Sequence, residues 1–224
     1  MKINLPNQIT LVRLGLAIIF FAMLSCFDAA QLQSQRWLLN VCFWIFLVAA
    51  LSDILDGLLA RMTNSVTTFG RIIDPVVDKV IVCGAFVLFA SHHFWDGHAN
   101  ITSVQPWMVL VILVRELLVS AVRSHAEGEG QDFAASWVGK LKMFVQSATV
   151  CVILGQLAWK IEALEPVRIA SVWLTVLITA LSAIAYIHRA RAFLLTSTAL
   201  SGKPAPAESS PQTASDESPG GDAS

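Results

Sequence analysis

Four aspartates lie inside two apolar segments of this chain, where carboxylates are costly and usually functional. Asp53 and Asp56 are three residues apart, and Asp74 and Asp78 are four apart, so in helices each pair shares one face. A short link joins the two segments, which predicts antiparallel neighbours with facing aspartates. Because like charges raise each other's pKa, four close carboxylates need a cation, and oxygen ligands select Mg²⁺ or Mn²⁺. The spacing therefore predicts a divalent metal site.

Two other interpretations of the aspartates stay open on the residues alone. One or two of them could cap helix ends near the membrane interface, and intramembrane carboxylates also serve ion transporters as proton or cation relays. Gly57 and Gly70 lack side chains, so a ligand or the facing helix could approach closely. Pro75 predicts a helix that starts near Asp74, because proline suits the first turn. Nucleotide binding would distinguish an enzyme from a transporter.

A second set of candidate residues is cationic and belongs to the fourth and fifth apolar segments. Its members are Arg115, Arg123, Lys140 and Lys142. Guanidinium and ammonium groups satisfy phosphate oxygens, so the set suits a phosphorylated substrate. For Arg123, Lys140 and Lys142 the alternative is that they are ordinary basic residues at the cytoplasmic surface of the membrane, where such residues are enriched. For Arg115 it is an internal pair with Glu116 or another acid, although adjacent residues do not face each other on a helix.

Six apolar segments position these residues, and each is too long for a strand. A bilayer core of about 30 Å needs roughly 20 helical residues. The segments predict an all-α integral membrane bundle of six transmembrane helices, which cover about residues 9–27, 37–60, 75–95, 105–123, 138–160 and 170–195.

The composition supports a membrane protein and divides the chain in two. Of 224 residues, 55% are hydrophobic and only 14% charged, which argues against a nucleic-acid-binding or a largely disordered chain. Residues 1–200 form the predicted membrane catalytic domain. Residues 201–224 are rich in Pro, Ser and Gly and have too little apolar surface to offset the entropy of ordering, so they predict a disordered polar tail.

The distribution of Lys and Arg predicts the orientation in the membrane. When Arg115, which lies inside a span, is left out, eleven basic residues lie on the side of the two termini and three lie on the other side. Cytoplasmic loops carry the excess of positive charge, so both termini and the aspartate-bearing loop side should be cytoplasmic. The predicted location is a bacterial inner membrane, crossed several times.

The aspartates also belong to a longer pattern, D-x2-D-G-x2-A-R-x8-G-x3-D-x3-D, which resembles the motif of the CDP-alcohol phosphatidyltransferases. Its eight fixed positions all match here, namely Asp53, Asp56, Gly57, Ala60, Arg61, Gly70, Asp74 and Asp78. The resemblance covers about residues 1–195 and implies an enzyme that transfers a phosphatidyl group from a CDP-linked lipid to an alcohol and releases CMP.

The resemblance also implies roles for the matching residues. Asp53, Asp56 and Asp74 would ligate two metal ions, and Asp78 would complete the metal site and act as general base on the acceptor hydroxyl. The implied nucleotide-binding set is Asp56, Gly57, Ala60, Arg61 and Gly70.

Two further stretches resemble the glycerophosphate-accepting subfamily. The first contains Pro6, Asn7, Thr10 and Arg13, and the second contains Arg115, Glu116, Arg123, Gly139, Lys140, Lys142 and Gln146. They imply CDP-diacylglycerol and sn-glycerol 3-phosphate as substrates, the cationic set as the acceptor-phosphate site, membrane lipid as surroundings and a homodimer. The same chemistry with inositol phosphate, serine or another alcohol is the alternative.

Overall fold

Six long α-helices make up most of the chain in the computed structural model. It describes the backbone of residues 5–63, 68–97, 99–128 and 137–201, and the side chains of residues 11–52, 77, 79–97, 99–124, 128, 139 and 141–187. The helices are α1 (Leu5–Ser25), α2 (Leu32–Thr63), α3 (Thr68–Phe89), α4 (Pro106–Gly128), α5 (Trp137–Trp159) and α6 (Glu165–Ser201). Each of the six predicted apolar segments falls on one of them, so the helical fold class is confirmed.

Three of the helical stretches in the described part are long and apolar enough to cross a membrane: Ala29–Ser52, Leu141–Trp159 and Glu162–Ile187. Large apolar side chains also point away from the protein. Leu117 is 71% exposed and Phe144 70% exposed. Such a surface is expected where lipid, and not water, surrounds the helices.

The core is apolar and rich in phenylalanine. Helix α1 packs against α2 and α3, α5 packs against α2 and α3, and α3 also contacts α4. The rings of Phe27 and Phe94 stack with centroids 4.7 Å apart. Gly84 of α3 lies directly against the Phe21 ring of α1, and a Cβ there would collide with that ring. A larger residue at this position would have to displace the Phe21 ring, so glycine suits the close approach of α1 and α3.

Helix α3 differs at both ends from the prediction. It begins at Thr68, so Pro75 lies inside the helix and the predicted start near Asp74 was wrong. Membrane helices tolerate internal proline because neighbouring groups satisfy the freed carbonyl. At the other end α3 stops at Phe89, six residues before the predicted limit. The carbonyl of Phe89 accepts hydrogen bonds from Asn100 Nδ2 at 2.8 Å and Thr102 Oγ1 at 3.1 Å, which ends the helix.

The segment between α3 and α4 is a compact cap on this end of the bundle. A 3-10 turn, His92–Phe94, leads into two-residue strands, Trp95–Asp96 and Ala99–Asn100, which pair antiparallel. Ser103 has a φ of 63°. This hairpin is the exception to the helical architecture within the part of the chain that is described.

The chain divides into two compact units, Met1–Ile187 and His188–Ser224. The first contains α1 to α5 and most of α6. The described part of the second is helical up to Ser201, and the predicted tail lies, beyond that residue, outside the described residues.

Candidate functional site

The aspartate motif lies on two helices that share neighbours. Asp53 and Asp56 belong to the second half of α2, and Asp74 and Asp78 to the first half of α3. Both helices pack against α1 and α5. Helical spacing places each pair on one face. The side chains of these four residues, and of Gly57, Ala60, Arg61 and Gly70, lie outside the described ones, so their predicted convergence stays a prediction.

A buried ion cluster lies beside this motif, and Glu116 of α4 is its centre. The carboxylate of Glu116 contacts Lys142 Nζ of α5 and lies 3.4 Å from Arg115 Nη1. All three side chains are at most 7% exposed. Two cations therefore share one carboxylate in a poorly solvated environment. Among the described side chains this leaves one positive charge in excess, which is unfavourable in a buried place unless a bound anion or a group outside the described ones compensates it.

Hydrogen bonds connect this cluster to α3 one residue after Asp78. Lys79 Nζ donates to Ser120 Oγ at 2.6 Å, and Ser120 Oγ donates to the carbonyl oxygen of Glu116 at 2.7 Å. The Lys79 side chain thus links α3, one residue after Asp78, to the part of α4 that carries Arg115 and Glu116. The motif and the cluster belong to one region of the bundle.

Arg115 is held from three directions. Its Nε donates to Ser182 Oγ of α6 at 2.8 Å, its Nη1 contacts Glu116, and its Cζ lies 5.4 Å from the centroid of the Tyr186 ring. The remaining nitrogen, Nη2, is buried and has no hydrogen-bond partner among the described residues. One donor of a fixed guanidinium is therefore available for a ligand.

The predicted acceptor set is brought together only in part by the described side chains. Arg115 and Lys142 meet at Glu116. Arg123 is half-buried on α4, and the side chain of Lys140 is outside the described ones. The argument against an Arg115–Glu116 contact was wrong, because both side chains are long enough to meet although their Cβ atoms diverge on the helix.

Sequence reasoning missed two members of this region. Glu116 was named as a possible partner of Arg115 and as a position shared with the subfamily but not as a site residue, and Lys79 was counted only among the basic residues on the side of the termini. Both carried a usable signal. Each is an ionisable residue directly next to a candidate site residue within a predicted membrane span, and such residues are usually functional or paired.

The metal prediction depends on the chemistry of the donors. Among the side chains that the structure describes, no three His, Cys, Asp or Glu residues lie close enough together to hold a metal ion. The four motif aspartates are not among them. They supply only carboxylate oxygens, the ligands that Mg²⁺ and Mn²⁺ prefer, so the donor set fits a hard divalent ion.

Comparison with known proteins identifies the family. The sequence profile of the CDP-alcohol phosphatidyltransferase family matches residues 3–184. The chain is similar to the CDP-diacylglycerol–glycerol-3-phosphate 3-phosphatidyltransferase of Bacillus subtilis (strain 168), at 32% identity over 83% of this chain and 94% of that one. It is also similar to proteins of the same name from Pectobacterium atrosepticum, at 34% identity, and Shigella flexneri serotype 5b, at 36%; each match covers 87% of this chain and 99% of the relative. With most of its length matched and the complete aspartate motif on two consecutive helices of a membrane-type bundle, the chain belongs to the CDP-alcohol phosphatidyltransferase family and is an enzyme.

Proposed function

We propose that this enzyme transfers the phosphatidyl group of CDP-diacylglycerol to sn-glycerol 3-phosphate, giving phosphatidylglycerophosphate and CMP. The observation that carries the choice of acceptor is the buried cluster in which Arg115 and Lys142 share the single carboxylate of Glu116. A phosphorylated acceptor supplies the negative charge that the cluster lacks. Serine or free inositol does not. The names of the relatives support the same acceptor.

The reaction is a direct displacement at phosphorus. The acceptor hydroxyl oxygen forms a bond to the phosphorus of the phosphatidyl group, the bond from that phosphorus to the CMP oxygen breaks, and CMP leaves. Asp78 takes the proton of the hydroxyl as attack proceeds, since a carboxylate within hydrogen-bond reach can act as general base. The hydrogen-bonded link from Lys79 through Ser120 to α4 supports this role, because it brings the turn of α3 that carries Asp78 near the part of α4 proposed to bind the acceptor.

The remaining motif residues hold the donor substrate. Asp53, Asp56 and Asp74, together with Asp78, would hold Mg²⁺ or Mn²⁺, in two ions. When bound, divalent ions neutralise pyrophosphate charge and stabilise the departing phosphate. The nucleotide would lie against Asp56, Gly57, Ala60, Arg61 and Gly70, where two residues without side chains permit close approach.

The acceptor phosphate is bound by the cationic set. Arg115 and Lys142 would contact it from the Glu116 cluster, and Arg123 and Lys140 would complete the site from the ends of α4 and α5 that face α3. Charge-assisted contacts to phosphate are stronger than neutral ones, so the set favours glycerol 3-phosphate over glycerol. Inositol phosphate carries the same group, and only the shape of the pocket would reject it.

The proposed setting is a bacterial inner membrane. All six long helices would cross it, with both termini and the reacting groups on the cytoplasmic side, in accord with the excess of basic residues there. The diacylglycerol tails then stay in lipid while the headgroup chemistry takes place at the interface. Residues 1–200 form the catalytic domain in this account, residues 201–224 a polar tail, and two copies pair as a homodimer.

The test uses the purified full-length protein in detergent. We expect release of CMP from CDP-diacylglycerol only when glycerol 3-phosphate and Mg²⁺ or Mn²⁺ are both present, and a higher unfolding temperature with CMP plus metal than with either alone. A chelator should stop the reaction and added metal should restore it. A protein that neither releases CMP nor gains stability from nucleotide would contradict the proposal and favour an ion transporter.

A further inference from the structure

One face of α6 carries a polar stripe through the membrane-type part of the helix. Its members recur every three or four residues and are Arg168, Ser171, Thr175, Thr179, Ser182 and Tyr186. Buried hydrogen bonds join it to α5: Thr149 and Thr175 hydroxyls lie 2.8 Å apart, and Gln146 Nε2 donates to Thr179 Oγ1 at 3.4 Å. Such bonds hold membrane helices together, typically by about 0.6 kcal/mol each.

The last part of the stripe differs from the rest because it contacts a charged side chain of the candidate site. Ser182 donates its hydroxyl hydrogen to the Thr179 carbonyl at 2.9 Å, which leaves the oxygen lone pairs facing Arg115. Arg115 Nε donates to that oxygen at 2.8 Å. Ser182 is fully buried, so bulk water does not compete for its hydrogen bond with Arg115.

Tyr186, the only tyrosine in the sequence, contacts the same guanidinium one helical turn further on. Its ring centroid lies 5.4 Å from Arg115 Cζ, within the range of a cation–π contact. Tyr186 is 4% exposed, so the ring is as buried as the cation that it faces. It also lies beyond residue 184, where the match to the family ends.

We infer that Ser182 and Tyr186 are positioning residues, which orient Arg115 so that its Nη2, without a partner among the described residues, donates to the phosphate of the acceptor. This inference rests on the proposed function. An arginine side chain loses rotamer freedom when it binds a ligand, and a scaffold that fixes it in advance removes that loss from the binding step. With Nε on Ser182, Nη1 at Glu116 and the ring of Tyr186 against Cζ, the orientation of the guanidinium is determined before substrate arrives.

The test compares Ser182→Ala with Thr175→Val. Both substitutions delete a buried interhelical hydrogen bond of α6, but only the first removes a contact to Arg115. We expect Ser182→Ala to raise the KM for glycerol 3-phosphate about three- to tenfold, with kcat and the KM for CDP-diacylglycerol changed by less than about twofold. Thr175→Val should leave all three constants near their wild-type values. Equal shifts of acceptor KM in the two variants would overturn the inference.

A double-mutant cycle with Arg115→Ala separates this inference from the proposal on which it rests. If Ser182 acts through Arg115, Ser182→Ala adds nothing to the acceptor KM of the Arg115→Ala enzyme. A further increase in that background would contradict the positioning role. An Arg115→Ala enzyme with wild-type acceptor KM would instead contradict the assignment of Arg115 to the acceptor phosphate.

Tyr186 provides a second measurement if Ser182→Ala does not fold. Tyr186→Leu removes the aromatic face and should raise the acceptor KM, while Tyr186→Phe keeps that face and should restore a KM close to wild type. An acceptor KM that is the same in the Leu and Phe variants would contradict a role for the ring.

Discussion

Two buried arginines at opposite ends of the polar stripe of α6 have different charge environments: Arg168 is part of the stripe, and Arg115 of α4 contacts its other end. Arg168, near the start of α6, donates to Ser103 Oγ at 2.8 Å and lies 3.8 Å from Glu165 of the same helix. Arg115 shares Glu116 with Lys142. Each arginine leaves one nitrogen without a partner among the described residues, so an orphan nitrogen does not distinguish them. The charge balance does, since one cation per carboxylate is a structural pair and two per carboxylate leave room for an anion.

The polar groups near Arg168 also form hydrogen bonds with one another. Asn100 donates to the carbonyls of Phe89 and Val104, and its Oδ1 accepts from the backbone N–H of Thr102. By helix rise, Arg168 and Ser182 are about 21 Å apart along α6. This end of the bundle uses its polar groups for structure, whereas the proposed function uses those at the Arg115 end to bind substrate.

The largest effect is expected from a single substitution in the aspartate motif. Asp78→Asn keeps the size of the side chain and removes the proposed base, so turnover should fall by at least about 10²-fold. CDP-lipid binding should survive better than in Asp53→Asn or Asp74→Asn, which weaken the metal site itself. The matched control is Asp96→Asn, at the exposed hairpin, which should leave turnover unchanged. Near-normal turnover of Asp78→Asn would remove Asp78 from the base role.

The next effect compares the two arginines directly. Arg115→Ala loses a charge-assisted contact worth about 1.5–3 kcal/mol, so the KM for glycerol 3-phosphate should rise roughly 10- to 150-fold, with little change for CDP-diacylglycerol. Arg168→Ala should instead lower the unfolding temperature and leave both KM values alone. Steady-state kinetics with each substrate varied in turn provide the check. A higher acceptor KM in Arg168→Ala would invalidate the division between the two ends.

A smaller effect is expected at the hairpin. Asn100→Ala removes the group that satisfies the Phe89 and Val104 carbonyls, and buried acceptors left unsatisfied cost about 1–3 kcal/mol of stability. The unfolding temperature in detergent should therefore fall, while the acceptor KM stays unchanged in the fraction that is folded. Wild-type stability in this variant would show that the network contributes little to the cap.

The smallest effect is expected for the polar tail. Truncation after Leu200 removes residues that can add little packing, so activity and expression should stay close to those of the full chain. Specific activity per amount of purified protein is the appropriate measure. Loss of most activity would contradict the predicted boundary of the catalytic domain.

Much of the fold could be predicted because a membrane imposes long apolar helices, and all six segments were located by length alone. The ends of α3 could not. Pro75 is a good helix-start signal in water-soluble proteins, but inside a bundle its freed carbonyl can be satisfied by neighbours. The end at Phe89 depends on Asn100 and Thr102, which are 11 and 13 residues away in sequence. No pattern of neighbouring residues in the sequence predicts these hydrogen bonds to Phe89.

The residue types of the candidate site could be predicted better than the contacts between them. The aspartate motif and the cations Arg115 and Lys142 stood out as charges in apolar segments. That Glu116 joins them could not be read from helical spacing, which disfavours contacts between adjacent residues. The contribution of α6 was also hidden, because Ser182 contacts a residue 67 positions earlier. Serine in a membrane helix is common and carries no signal by itself.

If the cationic end of the bundle selects a phosphorylated acceptor, the identity of the acceptor determines the rate of CMP release. We would measure this as initial rates of CMP release by the purified enzyme with different acceptors. CDP-diacylglycerol and metal are held constant, and glycerol 3-phosphate, inositol phosphate, glycerol, serine and inositol are compared at equal concentration. We predict that glycerol 3-phosphate is much faster than glycerol, because glycerol leaves buried cations without a partner. A faster rate with serine or free inositol would contradict the proposed acceptor, although the class of reaction would stand.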